Sequence, residues 1–156
     1  MGFNAMNNIH GTAVMLCDQA VLLRGVPGSG KSDLALRLID RGAKLVADDQ
    51  LIVKKCDGVL KLSAPKTIAG LIEVRGLGII SVEYIEDTTL ALVVDLLEDF
   101  TPERIPIPSF VEIEGVKFPQ LKLEAKRESL HIIVEQAMAK LSRRRDSDVA
   151  GEIWAL

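Results

Sequence analysis

The sequence predicts an α/β domain built on a mixed sheet, and three observations carry that class. Short apolar runs bounded by turn residues recur up to about Leu97, a strand–loop–helix–strand unit stands near the front, and an amphipathic stretch closes the chain. The composition allows it: 156 residues with 48% hydrophobic and 26% charged side chains describe one ordinary domain able to bury a core. Residues 1–156 are therefore read as a single domain.

In chain order, strands are expected at residues 12–16, 20–23, 44–47, 51–54, 59–62, 79–84 and 90–94. Cys17-Asp18-Gln19 joins the first two into a hairpin, and Asp57-Gly58 is a tight-turn signal that needs positive φ. A first helix is expected over 30–41, with Leu34, Ala35 and Leu38 on one face and Gly42 placed to end it in a left-handed conformation. A second is expected over 129–144, where Leu130, Ile133, Val134, Ala137 and Leu141 form an apolar stripe. Its basic end, Arg143 to Arg145, complements the helix dipole. Residues 100–119 hold four of the six prolines and are read as a connector.

Charge and composition exclude several functions. With 19 Lys+Arg against 22 Asp+Glu the net charge is −3, which offers no general positive field to nucleic acid or to an anionic membrane. Aromatic residues are only 4%, too few for a base-stacking platform. No apolar run approaches the length of a membrane span, and the start lacks the apolar core of a signal peptide, so a cytoplasmic protein is expected. Cys17 and Cys56 lie far apart with no metal-ligand spacing and are read as thiols.

The most informative string is Gly25-Val26-Pro27-Gly28-Ser29-Gly30-Lys31-Ser32, which satisfies G-x-x-x-x-G-K-[ST] between an apolar strand and an amphipathic helix. Glycines let successive N–H groups turn around a phosphate, Lys31 can reach the β- and γ-phosphates, and the Ser32 hydroxyl can ligate Mg²⁺. A nucleoside triphosphate with Mg²⁺ is the implied ligand. The only asparagines are Asn4, Asn7 and Asn8, all before the loop, so the N-K-x-D element of guanine recognition is absent. Small-molecule and nucleotide kinases usually need a lid and an acceptor domain, for which the chain has little material, so the acceptor is read as either a small molecule or a protein.

Phosphoryl transfer also needs an acid at the end of a neighbouring strand. Leu45-Val46-Ala47-Asp48-Asp49 and Leu92-Val93-Val94-Asp95 both offer one. The adjacent Asp48 and Asp49 allow one carboxylate to accept a hydroxyl proton and the other to hold metal or position groups. His10 stands beside Gly11, and Glu73-Val74-Arg75-Gly76-Leu77-Gly78 places charges and glycines next to an apolar strand.

Four of these elements in this order resemble the bacterial HPr kinase/phosphorylase family, in its C-terminal catalytic domain. They are His10-Gly11, fifteen residues before Gly25; the loop ending Gly30-Lys31-Ser32-Asp33; residues 45–49; and Ile72-Glu73-Val74-Arg75-Gly76-Leu77-Gly78-Ile79-Ile80. The resemblance implies a P-loop fold of the phosphoenolpyruvate-carboxykinase-like kind, a mixed sheet with flanking helices. It implies a protein-serine kinase that uses ATP and Mg²⁺ to phosphorylate HPr, a carrier of the sugar phosphotransferase system, with reverse phosphorolysis and a homo-oligomeric assembly. By position, Asp48 is then the base for the serine and the acid for phosphorolysis, and His10 its tuning neighbour. Ser32 and Glu73 complete the Mg²⁺ shell with support from Asp49.

The sequence departs from the family pattern in three places. It is expected to lack the N-terminal domain of the long members, as in short forms resembling those of alphaproteobacteria. Pro27 stands where the usual loop carries a serine. The Pro-Gly-Arg-Asn element that supplies an arginine to the moving phosphoryl group is not recognisable, and Lys126-Arg127 is its nearest equivalent, with Arg127 expected to take that role. A second reading is an ATP-sensing regulatory module of phosphotransferase or two-component signalling that binds a protein such as a sensor kinase. A third is a small-molecule kinase.

Overall fold

The computed structural model describes residues 6–144. Its elements run β1 (Met6–His10), β2 (Thr12–Leu16), β3 (Gln19–Arg24), α1 (Lys31–Asp40), β4 (Lys44–Ala47), β5 (Gln50–Cys56) and β6 (Val59–Ser63). Then follow β7 (Leu71–Val74), β8 (Gly78–Ser81), β9 (Thr88–Leu97), β10 (Ser109–Ile113), β11 (Val116–Glu124) and α2 (Leu130–Arg144). Arg145, the last residue of the expected basic end, lies outside the described residues.

Both expected helices form, and Gly42 follows the first with φ 111°. The hairpin turns at Cys17-Asp18 (φ 51° and 62°) and Asp57-Gly58 (49° and 81°) take positive φ at both positions, which matches the right-handed twist of the strands they join. A third turn of the same kind, Glu114-Gly115, joins β10 to β11. The second half of the expected connector is therefore sheet. Pro119 is tolerated because it faces only Phe110 of β10, and pairing with β9 begins one residue later at Gln120. The strand expected over 79–84 stops at Ser81, after which Val82 donates its N–H to Gly70 and Tyr84 forms an isolated bridge to Leu45.

The long strand β9 organises the sheet. One of its edges takes β3 in parallel; along the other edge, β6 pairs with its first residues and β11 with its later ones. One leaf thus runs β4-β2-β3-β9-β11-β10 and the other β1-β5-β6-β9, with β7 and β8 in a separate two-stranded sheet. Alternation along the strands divides the apolar side chains between two layers. Val14, Val21, Leu23, Leu45, Leu92 and Val94 pack under α1 and α2 with Leu34, Leu38, Val134 and Met138. Ala13, Leu22, Val46, Val93 and Phe118 face the other way, against Leu51, Val53, Leu60 and Leu62 of the second leaf.

Gly11 sits where the two leaves meet. Its N–H donates to Asp49 O at 3.0 Å, its φ is 153°, and a Cβ there would stand 2.7 Å from Leu22 Cδ1 and 3.1 Å from Leu23 O. Gly11→Ala is expected to cost about 2 kcal/mol, because the backbone oxygen cannot yield as a side chain would. Urea denaturation of the two proteins measures this.

Candidate active site

The C-terminal end of β3 delivers the chain into the phosphate loop, and α1 begins immediately after it. Gly28 and Gly30 take φ of 83° and 99°, conformations that let the loop curl with its N–H groups inward, and Gly30 O accepts from Leu34 N as α1 starts. Lys31 Nζ reaches back across the loop to Gly25 O at 2.7 Å and Val26 O at 3.3 Å. All eight residues of the expected loop, 25–32, thus lie in one strand–loop–helix turn.

Asp48 lies next to it, only 9% exposed. Its Oδ1 accepts from Thr12 Oγ1 at 3.0 Å and from Ser32 Oγ at 2.7 Å, and its Oδ2 accepts from Glu73 N at 3.0 Å. Three elements position these donors. The β2–β4 pairing sets Ala13 against Ala47 and so brings Thr12 beside Asp48, the start of α1 presents Ser32, and β7 presents the Glu73 backbone. Thr12 Oγ1 also accepts from Asp49 N at 3.3 Å. Asp49 takes a left-handed conformation, φ 73°, and is exposed.

These groups line a cleft of about 540 Å³ whose walls include Thr12, Gly28, Lys31, Ser32, Asp48, Asp49, Glu73, Arg75 and Lys126. The expected Ser32, Asp48, Asp49 and Glu73 are brought together there. No three His, Cys, Asp or Glu side chains among the described residues cluster as a metal cage. The donor set of hydroxyl and carboxylates nevertheless suits Mg²⁺, which keeps several waters and is held through one or two carboxylates together with substrate phosphates.

Two expected groups lie elsewhere. His10 ends β1 opposite Gln50 and is exposed, because alternation turns Ile9 toward the core and His10 away from it. Its side chain is not among the partners of Asp48. Arg127 donates to Glu124 Oε1 at 2.9 Å and to Ser129 Oγ at 3.0 Å, and it lines a smaller neighbouring cavity rather than the cleft. Lys126, its neighbour, lines both.

Asp95, the second candidate acid, is held by Arg24 through Nε at 2.7 Å and Nη2 at 2.9 Å, and by the Gln120 amide. Burial opposes its ionisation, but these hydrogen bonds and the Arg24 charge prevail and hold the carboxyl below its ordinary value of 3.8. The same bond raises Arg24. The pair clamps the end of β3 to β9 just before the loop, so that of the two strand-end candidates it is Asp48-Asp49 that lines the cleft.

Thr12 was not legible as a functional residue. Its place follows from strand register, and the only local signal is a hydroxyl beginning an apolar strand next to Gly11.

A family model described as the HPr serine kinase C-terminal domain matches residues 2–153. The chain belongs to this family. Among proteins similar to this HPr serine kinase C-terminal domain, the HPr kinase/phosphorylase of Clostridium novyi is 36% identical over 144 residues, 84% of this chain and 47% of the relative. That of Clostridium kluyveri is 35% identical over 153 residues, 90% and 50% of the two chains. The chain spans about half the length of these curated relatives. A solved structure of the Hpr(Ser) kinase/phosphatase from Coxiella burnetii superposes with a TM-score of 0.77 at 26% identity, covering 85% of this chain and 94% of that one. The expected P-loop α/β fold is thereby shown for this domain.

Thr12→Val keeps the shape but removes one donor to the buried carboxylate and the acceptor of Asp49 N, and should cost about 1–2 kcal/mol in urea denaturation. Asp95→Ala should cost about 2 kcal/mol near neutral pH by leaving a half-buried guanidinium unpaired. Because the folded carboxyl titrates below 3.8, its stabilisation is complete above that value and is lost as pH falls through the lower folded value. The stability gap between wild type and Asp95→Ala should therefore close on acidification.

Proposed function

We propose that this domain is the catalytic unit of a cytoplasmic protein-serine kinase that transfers the γ-phosphoryl group of ATP to a seryl hydroxyl of HPr. The observation that carries the reading is the Asp48 carboxylate, buried at the wall of the phosphate-loop cleft and bonded to Ser32 Oγ at 2.7 Å. A base in that position is within reach of a hydroxyl presented to a loop-bound terminal phosphate.

In this reading the loop N–H groups and Lys31 hold and orient the β- and γ-phosphates, which supplies most of what phosphoryl transfer needs from a protein. Asp48 accepts the seryl proton as the oxygen attacks phosphorus, and Thr12 with the Glu73 N–H keeps the carboxylate aimed. Ser32, Asp49 and Glu73 would hold Mg²⁺. Bound there, the cation would neutralise charge developing on the transferred group. Arg75 and Lys126 supply further positive charge along the cleft, whereas Arg127 could reach it only by leaving Glu124 and Ser129.

Phosphorolysis of seryl phosphate by inorganic phosphate would run through the same groups, with Asp48 returning the proton to the seryl oxygen. Pro27 brings no N–H to the loop, one donor fewer for either direction. A homo-oligomer is part of the same proposal, and light scattering on the purified protein measures it.

Purified protein, ATP, Mg²⁺ and HPr should yield phosphoserine on HPr by mass spectrometry. Lys31→Ala should weaken ATP binding and reduce transfer at least about tenfold, since its ammonium serves the β- and γ-phosphates. A wild-type protein that binds ATP yet leaves HPr unmodified would contradict the assignment of the acceptor.

A further inference from the structure

We propose that the smaller cavity beside the phosphate loop is the nucleoside subsite, which takes the base and ribose of the bound triphosphate. This deepens the kinase reading above and rests on it. The cavity measures about 210 Å³ and is lined by Ser29, Gly30, Asp33, Leu34, Arg37, Lys126, Arg127 and Leu130.

Topology places it on the correct side. Strand β3, which leads into the loop, lies between β2 and β9. Asp48 follows β4 beyond β2, while residues 125–129 follow β11 beyond β9. The cleft and the cavity therefore flank the start of α1 on opposite sides, and they meet at Gly30, Asp33 and Lys126, which line both. A triphosphate with its terminal phosphate beside Ser32 and Asp48 has its other end over the first turn of α1, where Asp33 opens into the cavity.

The lining has the chemistry of a base pocket rather than of a second phosphate site. Leu34 and Leu130 give an apolar floor. The Arg37 guanidinium is held from two directions, by Asp33 Oδ2 at 3.1 Å and by Glu128 O at 3.0 Å. Arg127 is likewise committed to Glu124 at 2.9 Å. Two of the three cations thus have acidic partners, so little charge is left to draw a free anion, while a fixed planar guanidinium suits the face of an aromatic base.

Calorimetry with ATP and with inorganic tripolyphosphate, both with Mg²⁺, tests the site. Arg37→Ala should weaken ATP about tenfold through loss of stacking while leaving tripolyphosphate within about twofold, and Arg37→Lys, which keeps charge without the plane, should not restore ATP affinity. Retained tripolyphosphate binding also reports that the variant is folded. Independently, wild type photolabelled with 8-azido-ATP should carry the label within residues 33–37 or 126–130. Label confined to other segments, equal loss of both ligands in Arg37→Ala, or no loss of either would overturn the nucleoside site alone. A wild-type protein that binds neither ligand would overturn the phosphate-loop reading and the subsite with it.

Discussion

Asp48 holds a carboxylate almost out of water, and the rest of the site is arranged around its hydrogen bonds. Such a group costs several kcal/mol to bury unless its oxygens are satisfied. Here the donors come from β2, α1 and β7, three segments distant in sequence, through Thr12, Ser32 and Glu73. The requirement works in both directions. The carboxylate stays buried only if the three segments are in register, and the segments are drawn to a common point by the carboxylate. The same contacts place a carboxylate against Ser32, the residue that follows the phosphate-loop lysine.

The sheet makes that convergence possible. With β3 parallel to β9 in the middle of the first leaf, the phosphate loop leaves from the end of a strand buried on both faces. The Arg24–Asp95 clamp fixes the last residue of that strand before the chain turns, and Gln120 extends the clamp to β11. Each flank of the loop then has a separate task. On one side β4 delivers the paired aspartates; on the other, the segment between β11 and α2 walls the cavity assigned to the nucleoside. Lys126, in a left-handed conformation with φ 67°, stands at the boundary of the two.

Local features were readable from the residues, and features set by register were not. The phosphate loop, α1 with Gly42 behind it, and the hairpin turns each follow from conformational demands carried by a few neighbouring residues. Strand β1 escaped notice because only Ile9 of Met-Asn-Asn-Ile-His faces the core. The proline-rich segment concealed β10 and β11, since Pro102, Pro106 and Pro108 lie outside the strands and Pro119 occupies a place where one neighbour is missing. Two equivalent-looking acids at strand ends could be told apart only once Arg24 was seen to hold Asp95. Spacing placed His10 near the loop in the chain, while the pleat of β1 turned its side chain to solvent.

The central claim is that Asp48 does chemistry on the acceptor and does not simply hold the nucleotide. Single-turnover transfer to HPr by Asp48→Asn, measured alongside ATP affinity on the same preparation, tests it most directly. The asparagine retains a carbonyl oxygen for Thr12 and Ser32 but cannot accept the seryl proton. ATP affinity should stay within about threefold of wild type while the transfer rate falls about a thousandfold, the scale of a lost general base. Transfer at a rate close to that of wild type would contradict the account.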